Sequence, residues 1–182
     1  KSIGLIEMRS EFGDVNTHYN NNSEILHAGD IETNKTKEKA KSVKYATDLL
    51  AMYMEKNAEH AFSKGQKIIL AVGDDEIAEL EQRFVDFKSL YPDLKRIERD
   101  EIALLEPALV NGRNPNERIL ALHTTGYTVD FKAVAMSFVS EAKKVTGKHI
   151  STYLNCGLKT IFKKGNDYLI TTTTGETFLT KT

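Results

Sequence analysis

Cys156 is the only cysteine in the 182-residue chain. A lone cysteine excludes an internal disulfide and a cysteine-based zinc site. It fits a reducing, cytoplasmic compartment and reads most simply as a small buried strand residue. An excess of one charge is also lacking: 25 Lys and Arg stand against 26 Asp and Glu, a formal net charge of -1. There is therefore no electrostatic case for a nucleic-acid partner. No apolar run approaches the roughly 20 residues of a membrane-spanning helix, and the N-terminus is no signal peptide. A peripheral membrane contact stays open, because parts beyond this sequence could make it. There is no internal repeat and no linker-like stretch. Charged residues make up 28% of the chain, which places it among globular proteins of one domain or two small ones.

The elements follow from periodicity and turn chemistry. Ile3-Gly4-Leu5-Ile6 is a short apolar strand that ends in Glu7. Residues 10–36 have no periodicity and are rich in Asn, Gly and Thr; a polar loop of that length is usually either functional or disordered. Thr36 can cap a helix running to about Ala61, with Val43, Ala46, Leu50 and Met54 inside and Tyr45 and Met52 as packing residues. A strand is predicted over 67–72, followed by a helix that an Asp of Gly73-Asp74-Asp75 caps, with Ile77, Leu80, Phe84 and Phe87 buried. Asp100 caps a short helix over 101–105, which Pro107 ends. A strand over 118–123 follows, then a helix over 131–145 capped by Asp130, with Val134, Phe138, Val139 and Ala142 inward and Gly147 at its end. The tail reads as an antiparallel meander of four strands, 149–155, 158–163, 167–173 and 176–180, with Gly165-Asn166 as a tight hairpin turn.

Two features carry chemistry. In dinucleotide-binding folds a carboxylate at the end of the second strand accepts hydrogen bonds from the adenosine ribose, and a Gly-rich turn lies roughly 20 residues before it. Glu7 fits that carboxylate, while nothing in this sequence precedes its strand. The chain thus reads as a piece of a nucleotide-binding fold without its first strand and phosphate loop. A strand can equally end in a solvated acid that touches nothing. The second feature is the loop around Asn22, Ser23, His27 and Gly29. Its small residues admit a close backbone approach to a flat ring, its amide and hydroxyl groups can donate to oxygens, and His27 can serve as a base at neutral pH. A plain surface loop has the same composition. His123 is a second candidate base, and Arg113 and Arg118 are candidate carboxylate ligands, each with an ordinary structural reading beside it.

The loop residues, in order, are Asn22-Ser23, Leu26-His27, Gly29, Ile31-Glu32-Thr33-Asn34, Thr36 and Lys39-Ala40. Val72-Gly73-Asp74-Asp75-Glu76, Leu105-Glu106-Pro107 and Phe138-Val139-Ser140-Glu141-Ala142 follow. This order resembles FAD-dependent oxidoreductases of the glycine oxidase and 2-hydroxyacid dehydrogenase superfamily. Within that superfamily it is most similar to the shorter form of the malate:quinone oxidoreductase family. The resemblance covers nearly the whole chain. It departs at Lys35 and Lys37, where Tyr and Pro are common, and at Glu24, where Gln is common.

The resemblance implies an α/β to α+β fold: a partial Rossmann-like FAD-binding domain with an antiparallel meander, interrupted by a section of a substrate domain. Residues 1–65 and 130–182 would form the FAD-binding section and 66–129 the substrate section. FAD would be the cofactor, with Glu7 on the ribose, Arg9 near the pyrophosphate, and Asn22, Ser23, His27 and Gly29 along the flavin. The backbone of Leu158 would meet the adenine. His27 or His123 would be catalytic. The expected reaction is oxidation of malate, a small dicarboxylate 2-hydroxyacid, with electrons passing through FAD to a quinone, on the inner face of the cell membrane. Two alternatives stand beside it: a related oxidoreductase of 2-hydroxyglutarate or an amino acid, and a non-catalytic α+β binding module. The 182 residues alone are expected not to turn over substrate.

Overall fold

The computed structural model describes residues 2–28, 36–146 and 149–181. Gly29, the 31–34 run and Gly147 lie outside them. The chain divides into two compact units. One comprises Lys1–Glu24, Asn57–Ala61 and Asp130–Thr182, the other Ile25–Lys56 and Phe62–Val129. No helix among the described residues is long and apolar enough to cross a membrane.

The first unit contains β1 (Ile3–Ile6), α4 (Phe131–Thr146), β5 (Ile150–Tyr153), β6 (Leu158–Lys164), β7 (Asp167–Thr172) and β8 (Thr177–Thr180). Here the expected four-stranded meander is corrected. The strand after α4 pairs in parallel with β1, Ile3 facing Ile150 and Ile6 facing Tyr153, and only β6-β7-β8 form an antiparallel sheet. The helix before β5 explains this, because a strand reached through a crossover helix can lie parallel to an earlier strand, whereas a tight hairpin cannot deliver it that way. The β6-β7 hairpin does close through Gly165-Asn166. Gly165 has φ 64°, which a glycine at the first turn position adopts without penalty. Asp130 caps α4 as expected, its Oδ1 accepting from the Ala133 N–H at 2.8 Å. Of the predicted inner face only Val134 is fully buried, and Phe138 is 48% exposed.

The second unit holds α1 (Lys37–Asn57), β2 (Phe62–Val72), α2 (Gly73–Phe87), β3 (Lys95–Glu98), α3 (Arg99–Leu105) and β4 (Ile119–Val129). β4 is central in an antiparallel sheet of order β2-β4-β3. Its alternate residues serve two cores. Leu120 and Leu122 pack with Ile77, Leu80 and Phe87 of α2, while Ile119 and Ala121 pack with Ile97 and with Ile102 of α3. Both β2 and β4 are longer than predicted. The polar 124–128 segment lacks the apolar signature of a strand, but its register with 63–67 of β2 gives it a full ladder. On α1 the buried residues are Ala40, Thr47, Ala51 and Met54, so the face is rotated from the predicted one, and Tyr45 and Met52 are exposed.

Helix α3 starts two residues earlier than predicted and is capped by Glu98 rather than Asp100. The Glu98 side chain accepts from the backbone of Glu101 while the Glu101 side chain accepts from the Glu98 N–H. Losing such a cap costs about 0.5–2 kcal/mol. Glu98→Ala is therefore expected to lower the free energy of unfolding in denaturant by that amount, with Asp100→Ala near neutral. The reverse order of the two would contradict the assignment.

Candidate functional site

In the first unit the segments that leave β1 and β5 stay paired beyond the strands. Glu7 N–H donates to the Tyr153 carbonyl, Cys156 N–H to that of Glu7 and Asn155 N–H to that of Arg9, each at 2.8 Å. This ladder fixes Glu7 at the carboxyl end of a parallel strand, where open α/β sheets bind ligands. Glu7 Oε1 accepts from the Arg9 N–H at 2.8 Å, and Oε2 has no partner among the described residues. A cavity of about 510 Å³ opens beside it, lined by Glu7, Met8, Val15, Gly157, Leu158 and Ile161. Glu7 and Leu158, 151 positions apart in sequence, thus come together at one site. Space beside Gly157 is tight. A Cβ at that position would lie 3.2 Å from Thr173 Cγ2 and 3.4 Å from Met8 Cβ. Cys156, buried and itself part of the cavity wall, lies between β5 and β6 rather than in a strand, with Sγ 3.6 Å from both Thr174 Oγ1 and Glu176 Oε2. Arg9 is exposed and contributes its backbone to the ladder.

The adjoining loop is built by its own polar groups. Asn22 Nδ2 donates to the His18 carbonyl at 2.9 Å and its Oδ1 accepts from the Glu24 N–H at 2.8 Å. Its amide is thus committed to loop shape. Ser23 is exposed. Sequence reasoning missed Lys132, whose ammonium on α4 pairs with Glu11 at 2.8 Å and Asp14 at 3.0 Å. No local pattern links a helix lysine to acids some 120 positions earlier. The Lys132 hydrogen bond, with its positive charge, holds the Asp14 carboxyl below the usual aspartate range, and Glu11 and Asp14 raise the Lys132 ammonium in turn. A lowered folded-state value gives a contribution that is full above the unfolded value and lost as pH falls through the folded one. The melting-temperature gap between wild type and Lys132→Met is therefore expected to be widest near neutrality and to close on acidification. A gap unchanged down to about pH 2 would remove the loop-anchoring role.

His27 and His123 both belong to the second unit. Residues 25–28 lie along its elements: Leu26 N–H donates to the Tyr127 carbonyl at 3.1 Å, Thr47 Oγ1 to that of His27 at 3.3 Å, and the Tyr91 hydroxyl to that of Ala28 at 2.7 Å. The His27 ring is exposed. His123, central on β4, lines a separate cavity of about 360 Å³ with Gln66, Asp93, Lys95, Thr124 and Thr125. Burial pushes the Asp93 carboxyl up. Hydrogen bonds from the Thr125 N–H and the Thr124 hydroxyl outweigh it and hold Asp93 ionised below the usual range. The two candidate arginines are engaged elsewhere. Arg113 bonds the Leu109 carbonyl and Glu117, and Arg118 pairs with Asp74.

No family model matches the chain. Among curated proteins it is 33% identical over its entire length to a probable malate:quinone oxidoreductase of Campylobacter jejuni, covering 42% of that protein. It is 30% identical over 93% of its length to the malate:quinone oxidoreductase of Helicobacter pylori, covering 39% of it. The chain thus spans about two fifths of the length of the curated relatives it matches. Of solved structures, glycine oxidase from Geobacillus kaustophilus superimposes on 98% of the chain with a TM-score of 0.68 at 14% identity, 46% of that protein being covered. L-alpha-glycerophosphate oxidase from Mycoplasma pneumoniae with FAD bound superimposes on 93% with a TM-score of 0.64 at 17% identity, 43% of it being covered. Along its whole length the chain is a homologue of a segment of the malate:quinone oxidoreductases, with the fold of FAD-dependent oxidoreductases over that segment.

Proposed function

We propose that the chain belongs to a flavoenzyme that oxidises malate and passes the electrons through FAD to a quinone. The observation that carries this reading is Glu7. It stands at the carboxyl end of a parallel strand, with one carboxylate oxygen unpartnered among the described residues, over a cavity that Leu158 also lines. That set of groups fits the adenosine end of FAD: the Glu7 carboxylate would accept from the ribose hydroxyls, and the Leu158 backbone and Gly157 would flank the adenine. Arg9, Asn22, Ser23, His27 and Gly29 remain the proposed neighbours of the pyrophosphate and flavin, with Asn22 acting through the shape of its loop. When bound, FAD supplies the two-electron acceptor. The protein's own role is to bind and orient the acid and take its hydroxyl proton, for which His123 and His27 are the proposed bases. Residues 66–129 are proposed to belong to the substrate domain, and residues 1–65 with 130–182 to the FAD-binding domain. A quinone acceptor implies peripheral contact of the intact protein with the cytoplasmic face of the membrane.

The test is substrate-dependent reduction of a water-soluble quinone analogue by the intact flavoprotein. Malate is expected to drive it, with 2-hydroxyglutarate and amino acids far slower. Preference for either of the latter moves the chain to the related oxidoreductases, and no reduction with any of them favours a binding module.

A further inference from the structure

The sheet of the second unit is apolar along only a portion of the face that α3 covers. The rung Leu70–Ala121–Ile97 belongs to the core there, with Ile102 of α3 packed on it. The next rungs on the same face are Ile68–His123–Lys95 and Gln66–Thr125. The face thus changes from aliphatic to polar within two residues, and the 360 Å³ cavity opens at that change. Residues in register on adjacent antiparallel strands have Cβ atoms roughly 4.5–5.5 Å apart. Lys95 and His123 are therefore neighbours on one rung, and both line the cavity.

Neither the Lys95 ammonium nor His123 Nε2 is paired among the described residues. His123 Nε2 is buried and has no hydrogen-bond partner among the described residues, a state that a native protein rarely leaves uncompensated. Lys95 makes no ion pair among the described residues. Its neighbour Asp93 is instead held by Thr124 and Thr125. The cavity therefore offers a free cation and an unpaired imidazole nitrogen. Its one carboxylate is already committed to the sheet.

We propose that this cavity binds a small 2-hydroxy acid, Lys95 taking a carboxylate and His123 Nε2 bonding the adjacent hydroxyl. The proposal rests on the flavoenzyme reading and gives it a substrate-positioning pair. A 2-hydroxy acid carries the two groups on neighbouring carbons, matching a cation and an imidazole on one rung. Gln66 and Thr125 extend the polar wall for the rest of the acid.

The test uses the intact flavin-loaded protein with ring-labelled histidine, titrated with malonate and with 2-hydroxymalonate, which differ by the hydroxyl alone. Both are expected to shift the His123 resonance, which is identified by its loss in His123→Gln. Lys95→Met should weaken both at least 10-fold, and Lys95→Arg should restore most of the affinity. His123→Gln, read by calorimetry, should bring 2-hydroxymalonate down to the affinity of malonate and leave malonate unchanged. No shift with either probe overturns the proposal, as does inorganic phosphate binding as tightly as the two acids. The flavin absorbance of the same sample separates the two readings. Flavin present without a probe response overturns the cavity proposal alone. Absence of flavin overturns the flavoenzyme reading, while the probe titration still decides for or against the cavity.

Discussion

Glu7→Ala in the intact protein is expected to weaken FAD binding by roughly 10- to 100-fold. The magnitude follows from hydrogen bonds to a charged acceptor, worth about 1.5–3 kcal/mol, at 1.4 kcal/mol per tenfold in affinity. The geometry makes Glu7 specific for this effect. Its Oε1 braces the turn through the Arg9 N–H, while Oε2 is unpartnered among the described residues and Glu7 lines the cavity. Glu7→Gln keeps the bulk and an acceptor for the Arg9 N–H but loses the charge, so it should retain some of the affinity. The measurement is fluorescence titration of deflavinated protein with FAD, with the melting temperature of each variant recorded in the absence of flavin. Unchanged affinity in Glu7→Ala would make Glu7 an ordinary strand-end acid.

The largest stability effect is expected at Leu122. It is fully buried on the central strand, packed among Leu80, Phe87 and Leu94 on the face that α2 covers. Removing a buried leucine side chain costs about 2–5 kcal/mol, more where the cavity cannot collapse, and a strand held by neighbours on both sides collapses poorly. Leu122→Ala is therefore expected to lose that much in chemical denaturation, a large share of a typical domain's stability of about 5–15 kcal/mol. Leu104→Ala, at an 84% exposed position on α3, should stay within about 0.5 kcal/mol of wild type. Equal losses at the two positions would contradict the two-faced sheet. A change of slope along with the midpoint would mean a change in the compactness of the native or denatured state, or a loss of two-state unfolding.

What the sequence made legible was local. Ile3–Ile6, the buried face of α2 at Ile77, Leu80 and Phe87, the Asp130 cap and the Gly165-Asn166 hairpin each follow from spacing or turn chemistry within a few residues. What it hid was set at a distance. The direction of β5 depends on the helix that delivers it and on pairing with β1, and Ile150–Tyr153 carries no mark of that. The second half of β4 is a strand because 63–67 lie beside it, although its own residues are polar and include Gly126. The cap of α3 went to Glu98 because the reciprocal bond with Glu101 satisfies two backbone N–H groups, where Asp100 alone would satisfy one. For the site, Glu7 was readable as a strand-end carboxylate, but its meeting with Leu158 needed the ladder through Asn155 and Cys156. Lys95 had no signal at all; only the register that sets it beside His123 makes it chemically notable.

The most direct measurement is the visible absorption spectrum of the intact protein carrying this chain, purified and recorded anaerobically before and after malate. The account predicts flavin bands that bleach on malate addition, and that are lost or greatly diminished in Glu7→Ala. A colourless protein that takes up no added FAD, or flavin bands indifferent to the Glu7 substitution, would contradict it.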